Sequence, residues 1–106
     1  MREVTEVAVG VLIDKEGRFL MASRPQGKPY AGWWEFPGGK LEAGEAVTEA
    51  LSREYAEELG VKVKKATPWF VFEREYPHAY VRLHFCRIVD WVLKGYSAIG
   101  YRVLTK

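Results

Sequence analysis

The sequence predicts an α+β, or layered αβ, domain built around one helix. Three observations carry that expectation. Residues 5–25 alternate apolar and mixed side chains around a turn, residues 45–59 hold neither Gly nor Pro and stop at Gly60, and residues 61–93 are rich in β-branched and aromatic side chains.

Along the chain, Val7, Val9, Val11 and Ile13 recur at every second position, which is the period of a strand. "DKEG" supplies turn chemistry, and "RFLMAS" returns as a short second strand. Residues 25–45, "PQGKPYAGWWEFPGGKLEAGE", predict a long loop with at most a short extended piece at 33–36. A loop of that length inside a compact domain is usually functional or mobile. The helix over 45–59 ends where Gly60 supplies a C-terminal cap. Residues 61–76 and 79–93 predict two strands joined near Pro77 and His78, with Pro68 at an edge or bulge. Residues 101–104 predict one more strand.

Composition narrows the function classes. A chain of 106 residues accommodates one domain, 1–106, and its 48% hydrophobic and 28% charged content is that of a folded soluble protein. The net charge of +2 makes no demand for nucleic acid or a membrane surface, and Lys62, Lys64 and Lys65 read as a solvated edge. Cys86 is the single cysteine, so an internal disulfide and a multi-thiolate zinc site are excluded. No stretch approaches the ~20 apolar residues of a membrane helix, and the N-terminus carries no apolar signal core, which predicts a cytoplasmic protein.

The segment "REYAEELG" at 53–60 raises a question of face. Val47, Leu51, Tyr55 and Leu59 follow one another at intervals of four and form an apolar stripe, while Glu49, Ser52, Arg53 and Ala56 fall on the far side. With Glu54 set at zero, Glu58 lies at about 40°, Val47 at about 20° and Leu51 at about 60°. Glu54 and Glu58 therefore extend the buried stripe, with Glu57 flanking them. On spacing alone, two readings stand. The acids are partly exposed at a helix edge with Arg53 paired to Glu57, or they are gathered to hold a hard cation that offsets their repulsion.

Reading outward from the helix adds a motif. From Gly39 the order is Gly, five residues, Glu45, seven residues, then Arg53, Glu54, Tyr55, Ala56, Glu57, Glu58, Leu59, Gly60 and Val61. This resembles the box of the Nudix hydrolase family, GX5EX7REUXEEXGU with U a bulky aliphatic residue. Its one departure is Tyr55 at the first U position. "ASRP" at 22–25 and "GWWEFPGGK" at 32–40 are similar to the MutT-like, 8-oxo-dGTP diphosphatase branch. The resemblance runs from about residue 5 to residue 91.

The resemblance implies an αβα sandwich around a mixed β-sheet. It also implies hydrolysis, dependent on Mg²⁺ or Mn²⁺, of nucleoside triphosphates to a nucleoside monophosphate and pyrophosphate. Oxidised purine nucleotides such as 8-oxo-dGTP are the favoured substrates, which places the activity in sanitation of the nucleotide pool. Carried over by position, Glu54, Glu57 and Glu58 are metal ligands assisted by the Gly39 carbonyl, Arg53 orients a carboxylate, and Glu45 braces the loop or sits near the metals. Arg24 and Lys40 contact phosphate, while Phe36 and Leu83 line a base pocket. Outside the motif, Arg24 also reads as a surface arginine, and Phe36 and Leu83 as plain core. Trp33 or Trp34 either stacks on a base or packs on its own loop. His78 and His84 lack metal-ligand spacing, and Cys86 reads as buried.

After Trp91 the resemblance fades. MutT relatives continue into a loop carrying a glutamate that binds metal or acts as general base, and then into a final helix with an asparagine that reads the purine edge. Here "VLKGYSAIGYRVLTK" holds no acid, no asparagine and no helical pattern, and the loop glutamate falls by position at Ile99. The expectation is a domain without its C-terminal helix, ending in a tail such as truncation or an altered reading frame would produce. That leaves sheet surface exposed or covered by a partner chain. Alternatives follow for function: a catalytically weakened nucleotide-binding module, or a hydrolase of another nucleoside diphosphate derivative. The expected partner is a nucleotide, with no stable nucleic-acid or membrane association, in a monomer or homodimer.

Overall fold

A computed structural model of the chain describes residues 3–23, 34–93 and 102–105. Its elements run β1 (Val4–Leu12), β2 (Leu20–Ser23), β3 (Trp34–Glu35), β4 (Gly38–Lys40), α1 (Val47–Leu59), β5 (Val61–Tyr76), β6 (Ala79–Leu93) and β7 (Arg102–Thr105). β4, β1, β6 and β5 form one mixed sheet in that order, and β3, β2 and β7 form a second. β1 and β6 run parallel, while β4 and β5 join antiparallel at the two sides. The expected α+β architecture with a mixed sheet is present. Among the described residues α1 is the one helix, so no second helical layer is seen. No helix among them is long and apolar enough to cross a membrane.

Strand pleating decides what each face carries. Gly10 pairs with Cys86 and Leu12 with Ile88, so these positions share a face beneath α1. There they join Leu51, Tyr55 and Leu59 of the helical stripe in a buried core. Ala50 is also fully buried, a position outside the stripe at intervals of four. The helix ends as the sequence predicts, with Gly60 at φ 65° and its N–H donated to the Ala56 carbonyl at 3.2 Å. At the other end, the Ala46 N–H donates to Glu49 Oε1 at 2.8 Å and caps the first turn.

Tyr55, the departure from the family pattern, fills a space made by a glycine. Its ring is wholly buried and its hydroxyl donates to the Gly10 carbonyl at 3.0 Å. A Cβ on Gly10 would lie 2.6–2.8 Å from the Tyr55 ring and hydroxyl. An aromatic residue fits the helix here because the strand beneath it carries no side chain.

The region expected to be mostly loop contains a second strand, β4. It pairs antiparallel with β1 from Val7–Lys40 to Val9–Gly38, and the Gly10 N–H donates to the Pro37 carbonyl at 2.9 Å. Any Cβ on Gly38 would collide with the Ala8 carbonyl, so β1 approaches this close only because the residue is glycine. Glycine spacing reads as loop in sequence and as tight strand packing in the fold.

β5 and β6 make a long hairpin that turns at Pro77 and His78, with a register shift between Pro68 and Phe70 where a bulge is expected. Beyond the bulge, Trp69, Phe70, Val71 and Phe72 are all about half exposed, with Trp69 at 54%. Apolar sheet surface is therefore exposed along this part of the hairpin among the described residues. The last strand, β7, lies one residue later than the sequence predicts and pairs with β2.

The fit of Tyr55 on Gly10 generates a test. Gly10→Ala should destabilise the protein by about 1–3 kcal/mol in urea unfolding, because the added methyl overpacks the ring. In a Tyr55→Leu background the same change should cost less than about 1 kcal/mol, and equal costs in both backgrounds would rule this contact out as the reason.

Candidate functional site

The loop before α1 is held against the helix by one side chain. Arg53 Nε and Nη2 donate to the two carboxylate oxygens of Glu45 at 2.9 Å each, and Nη2 also donates to the Lys40 carbonyl at 3.1 Å. Nη1 donates to Glu54 Oε1 at 2.9 Å. Placed on the far side of the helix by its angle, Arg53 bends back, because its planar fork reaches acids on both loop and helix. The guanidinium holds the Glu45 carboxyl down at about 2, and Glu45 in turn holds Arg53 protonated. Glu45 also accepts the Glu42 N–H at 2.9 Å. These bonds tie Glu45 to both the loop and the helix.

The remaining acids have little counter-charge. Glu58 is half-buried, and its carboxyl is pushed up to about 8, first by burial, then by the hydrogen bond and charge of Glu54, then by the charges of Glu35 and Glu57. Arg53 touches Glu54 but reaches Glu57 only at 3.8 Å, and the Glu57 side chain is 61% exposed against 15% for Glu54. A Cβ on Gly39 would lie 2.5 Å from the Glu54 carboxyl carbon, so the glycine backbone lies directly against that acid. The spacing argument is thus met for Glu54 and Glu58, which meet on the inner face. Glu57 sits at the rim.

Among the described residues, no three His, Cys, Asp or Glu side chains converge closely enough to hold an ion as they stand. The donor set nonetheless suits a hard divalent cation. It consists of the carboxylate oxygens of Glu54 and Glu58, the latter carboxyl pushed up by burial and by Glu54, beside a glycine whose backbone lies against Glu54.

Beside these acids a cleft of about 620 Å³ opens on the sheet face opposite α1. Phe36 and Leu83, the expected base-pocket residues, both line it, and Lys40 stands at its edge beside Gly39. Phe36 packs edge-on against Phe19 at 6.2 Å between centroids. Met21, Trp34 and Phe85 also line the cleft, as does Glu35. Phe85 was legible from Leu83, since two residues on along a strand return to the same face; Glu35 carried no such signal. Arg24 and Trp33 lie outside the described residues, as does Ile99. His78 lies in the hairpin turn, and His84 on β6 contacts Glu6 at 2.6 Å, consistent with turn and strand roles. Cys86 is buried, and burial pushes its thiol up. A second groove of about 600 Å³ lies between α1 and β5, lined by Thr48, Glu49, Ser52 and Lys64 among others, and shares no lining residue with the apolar cleft.

The NUDIX domain family model matches residues 4–98. The chain is 38% identical over 85 residues to the 8-oxo-dGTP diphosphatase of Proteus vulgaris, covering 80% of this chain and 76% of that protein. It is 36% identical to the CTP pyrophosphohydrolase of Escherichia coli, covering 78% of this chain and 62% of that protein. Among solved structures, one from a study of MutT from Aliivibrio salmonicida and Vibrio cholerae superposes with a TM-score of 0.81 at 25% identity, covering 98% of this chain and 80% of the other.

Glu58 gives the metal-free protein a definite pH dependence. The unfolded chain releases this proton near 4.5, whereas the folded protein keeps it until about 8, so the folded state binds more protons in between. Stability should fall as pH rises through that window. Thermal melts in chelator at about pH 5 and about pH 8 should show a lower Tm at the higher pH, and Glu58→Gln should lessen that difference. An unchanged difference in the variant would remove Glu58 as its source.

Proposed function

The chain belongs to the NUDIX domain family, and from that premise we propose that it is a divalent-metal-dependent nucleoside triphosphate diphosphatase. The reaction takes one water and one nucleoside triphosphate to a nucleoside monophosphate and pyrophosphate. Oxidised purine nucleotides such as 8-oxo-dGTP are the leading substrates, in keeping with the substrate named for the Proteus vulgaris relative. In this reading the protein acts in the cytoplasm to clear damaged nucleotides from the pool, without stable binding to nucleic acid or membrane.

One observation carries the proposal: under-neutralised carboxylates stand beside an apolar cleft wide enough for a base. Glu54, Glu57 and Glu58, with the Gly39 carbonyl, would hold Mg²⁺ or Mn²⁺. When bound, such an ion neutralises diphosphate charge and makes water a better nucleophile at neutral pH. Arg53 fixes Glu54 from behind and keeps Glu45 as the brace of the loop. Lys40, together with Arg24, would meet phosphate as a point charge, and Phe36 and Leu83 would pack on the base.

The test is pyrophosphate release from a panel containing 8-oxo-dGTP, dGTP and CTP in the presence of Mg²⁺. Release should be greatest with 8-oxo-dGTP and abolished by chelator, and the Glu54→Gln, Glu57→Gln double variant should lose at least about a hundredfold. No release above that variant from any nucleotide would sink the hydrolase reading. Metal-dependent nucleotide affinity by calorimetry without turnover would favour a binding module instead.

A further inference from the structure

We propose that Phe70, on the outer strand β5, is a positioning residue for the nucleotide base. It holds the ring of Phe85, a wall of the cleft, and through that ring it tunes base affinity. The inference rests on the nucleotide reading above and adds a residue that itself lines no part of that cleft.

Strand register places Phe70 there. Pro68 pairs with Cys86 and Phe70 with Phe85, so two steps along β5 answer one step along β6. Trp69 is the extra residue of this bulge. In an unbroken register Phe70 would stand opposite His84, which shares with Cys86 the face beneath α1. The bulge turns Phe70 to the other face, where Leu83 and Phe85 line the cleft.

Ring contacts then join Phe70 to the cleft wall. Phe70 and Phe85 stack at 4.5 Å between centroids with 14° between their planes, within the range of favourable aromatic pairs. Phe85 is only partly buried and borders an open cleft of about 620 Å³, so on the cleft side its ring has room to move. Trp69 meets Phe70 edge-on at 5.2 Å, and the Arg87 guanidinium lies over the Trp69 ring at 5.7 Å. The contacts thus run from Phe85 on β6 through β5 and back to β6 at Arg87. Phe70 is 45% exposed and stands outside the buried core, so core packing does not account for an aromatic ring at this position. A flat ring in the wall serves a base only at a fixed angle, whereas phosphate and cation contacts are indifferent to it.

Calorimetry with 8-oxo-dGMP, the product of the proposed reaction, tests this without turnover, and pyrophosphate serves as a probe that carries no base. With Mg²⁺ present, Phe70→Leu should weaken 8-oxo-dGMP binding about fivefold and leave pyrophosphate binding within about twofold. Phe70→Tyr, which keeps the ring, should bind as the unmodified protein does. So should Val71→Ala, whose side chain pairs with His84 on the other face. In a Phe85→Leu background, Phe70→Leu should cost less than about twofold. In turnover it should raise KM several-fold with kcat within about twofold. Phe70→Met carries the test if Phe70→Leu fails to give a native circular dichroism spectrum. Unchanged 8-oxo-dGMP affinity in a folded variant without the ring, or an equal loss in both backgrounds, overturns the role of Phe70 and leaves the hydrolase reading standing. Absence of 8-oxo-dGMP binding in the unmodified protein overturns the base site and the role of Phe70 with it, and pyrophosphate release from the nucleotide panel decides the hydrolase reading separately.

Discussion

Arg53 offers its guanidinium donors in one rigid plane, and four oxygens from three residues occupy them: both of Glu45, one of Glu54 and the Lys40 carbonyl. Glu45 and Lys40 belong to the approach to the helix, and Glu54 to the helix itself. The fork therefore fixes how the chain leaves β4 and enters α1. With that path set, Gly39 comes to rest against the Glu54 carboxyl. A lysine at this position would have the charge but not the planar set of donors needed to span loop and helix together.

The same pairing leaves the site short of positive charge. Glu45 takes most of the Arg53 fork, and that pairing holds its carboxyl well below the usual range. Glu58, one helical turn beyond Glu54, faces acids and burial, and it keeps a proton well into the neutral range. On the proposed reading, a site with this imbalance suits a ligand that brings positive charge, and a nucleotide's phosphates would enter it together with cations. The apolar cleft supplies the complementary half. Phe36, Leu83 and Phe85 line it with flat and branched surfaces that would suit a base under the proposed function, and Gly39 and Lys40 line it too, with Gly39 against the Glu54 carboxyl.

The sheet that carries both halves is unevenly covered. Under α1 its face is closed by Leu51, Tyr55 and Leu59, and the fit is tight enough that β1 carries a glycine beneath the Tyr55 ring. Towards the hairpin turn, β5 and β6 extend beyond the helix, and Trp69 to Phe72 stand half in solvent. Stacking of Phe70 on Phe85 at 4.5 Å joins that exposed strand to the wall of the cleft, so the covering of the hairpin and the shape of the cleft are physically linked.

Much of this was legible in the sequence, because it depends on local periodicity. The alternation of β1, the apolar stripe of α1, the Gly60 cap and the bounds of the β5–β6 hairpin all follow from residues within a few positions of one another. The motif spacing likewise gave Glu54 and Glu58 a shared inward face. Tertiary structure alone decided the rest. β4 is a strand because the Ala8 carbonyl needs a neighbour without a side chain, a contact across some thirty residues that the glycines of the loop could not announce. Arg53 turns away from its helical angle because its partners, Glu45 and the Lys40 carbonyl, come from another segment. Periodicity tells which face a side chain occupies, but a charge responds to every group that folding brings near it, and that arrangement exists only once the chain has closed on itself.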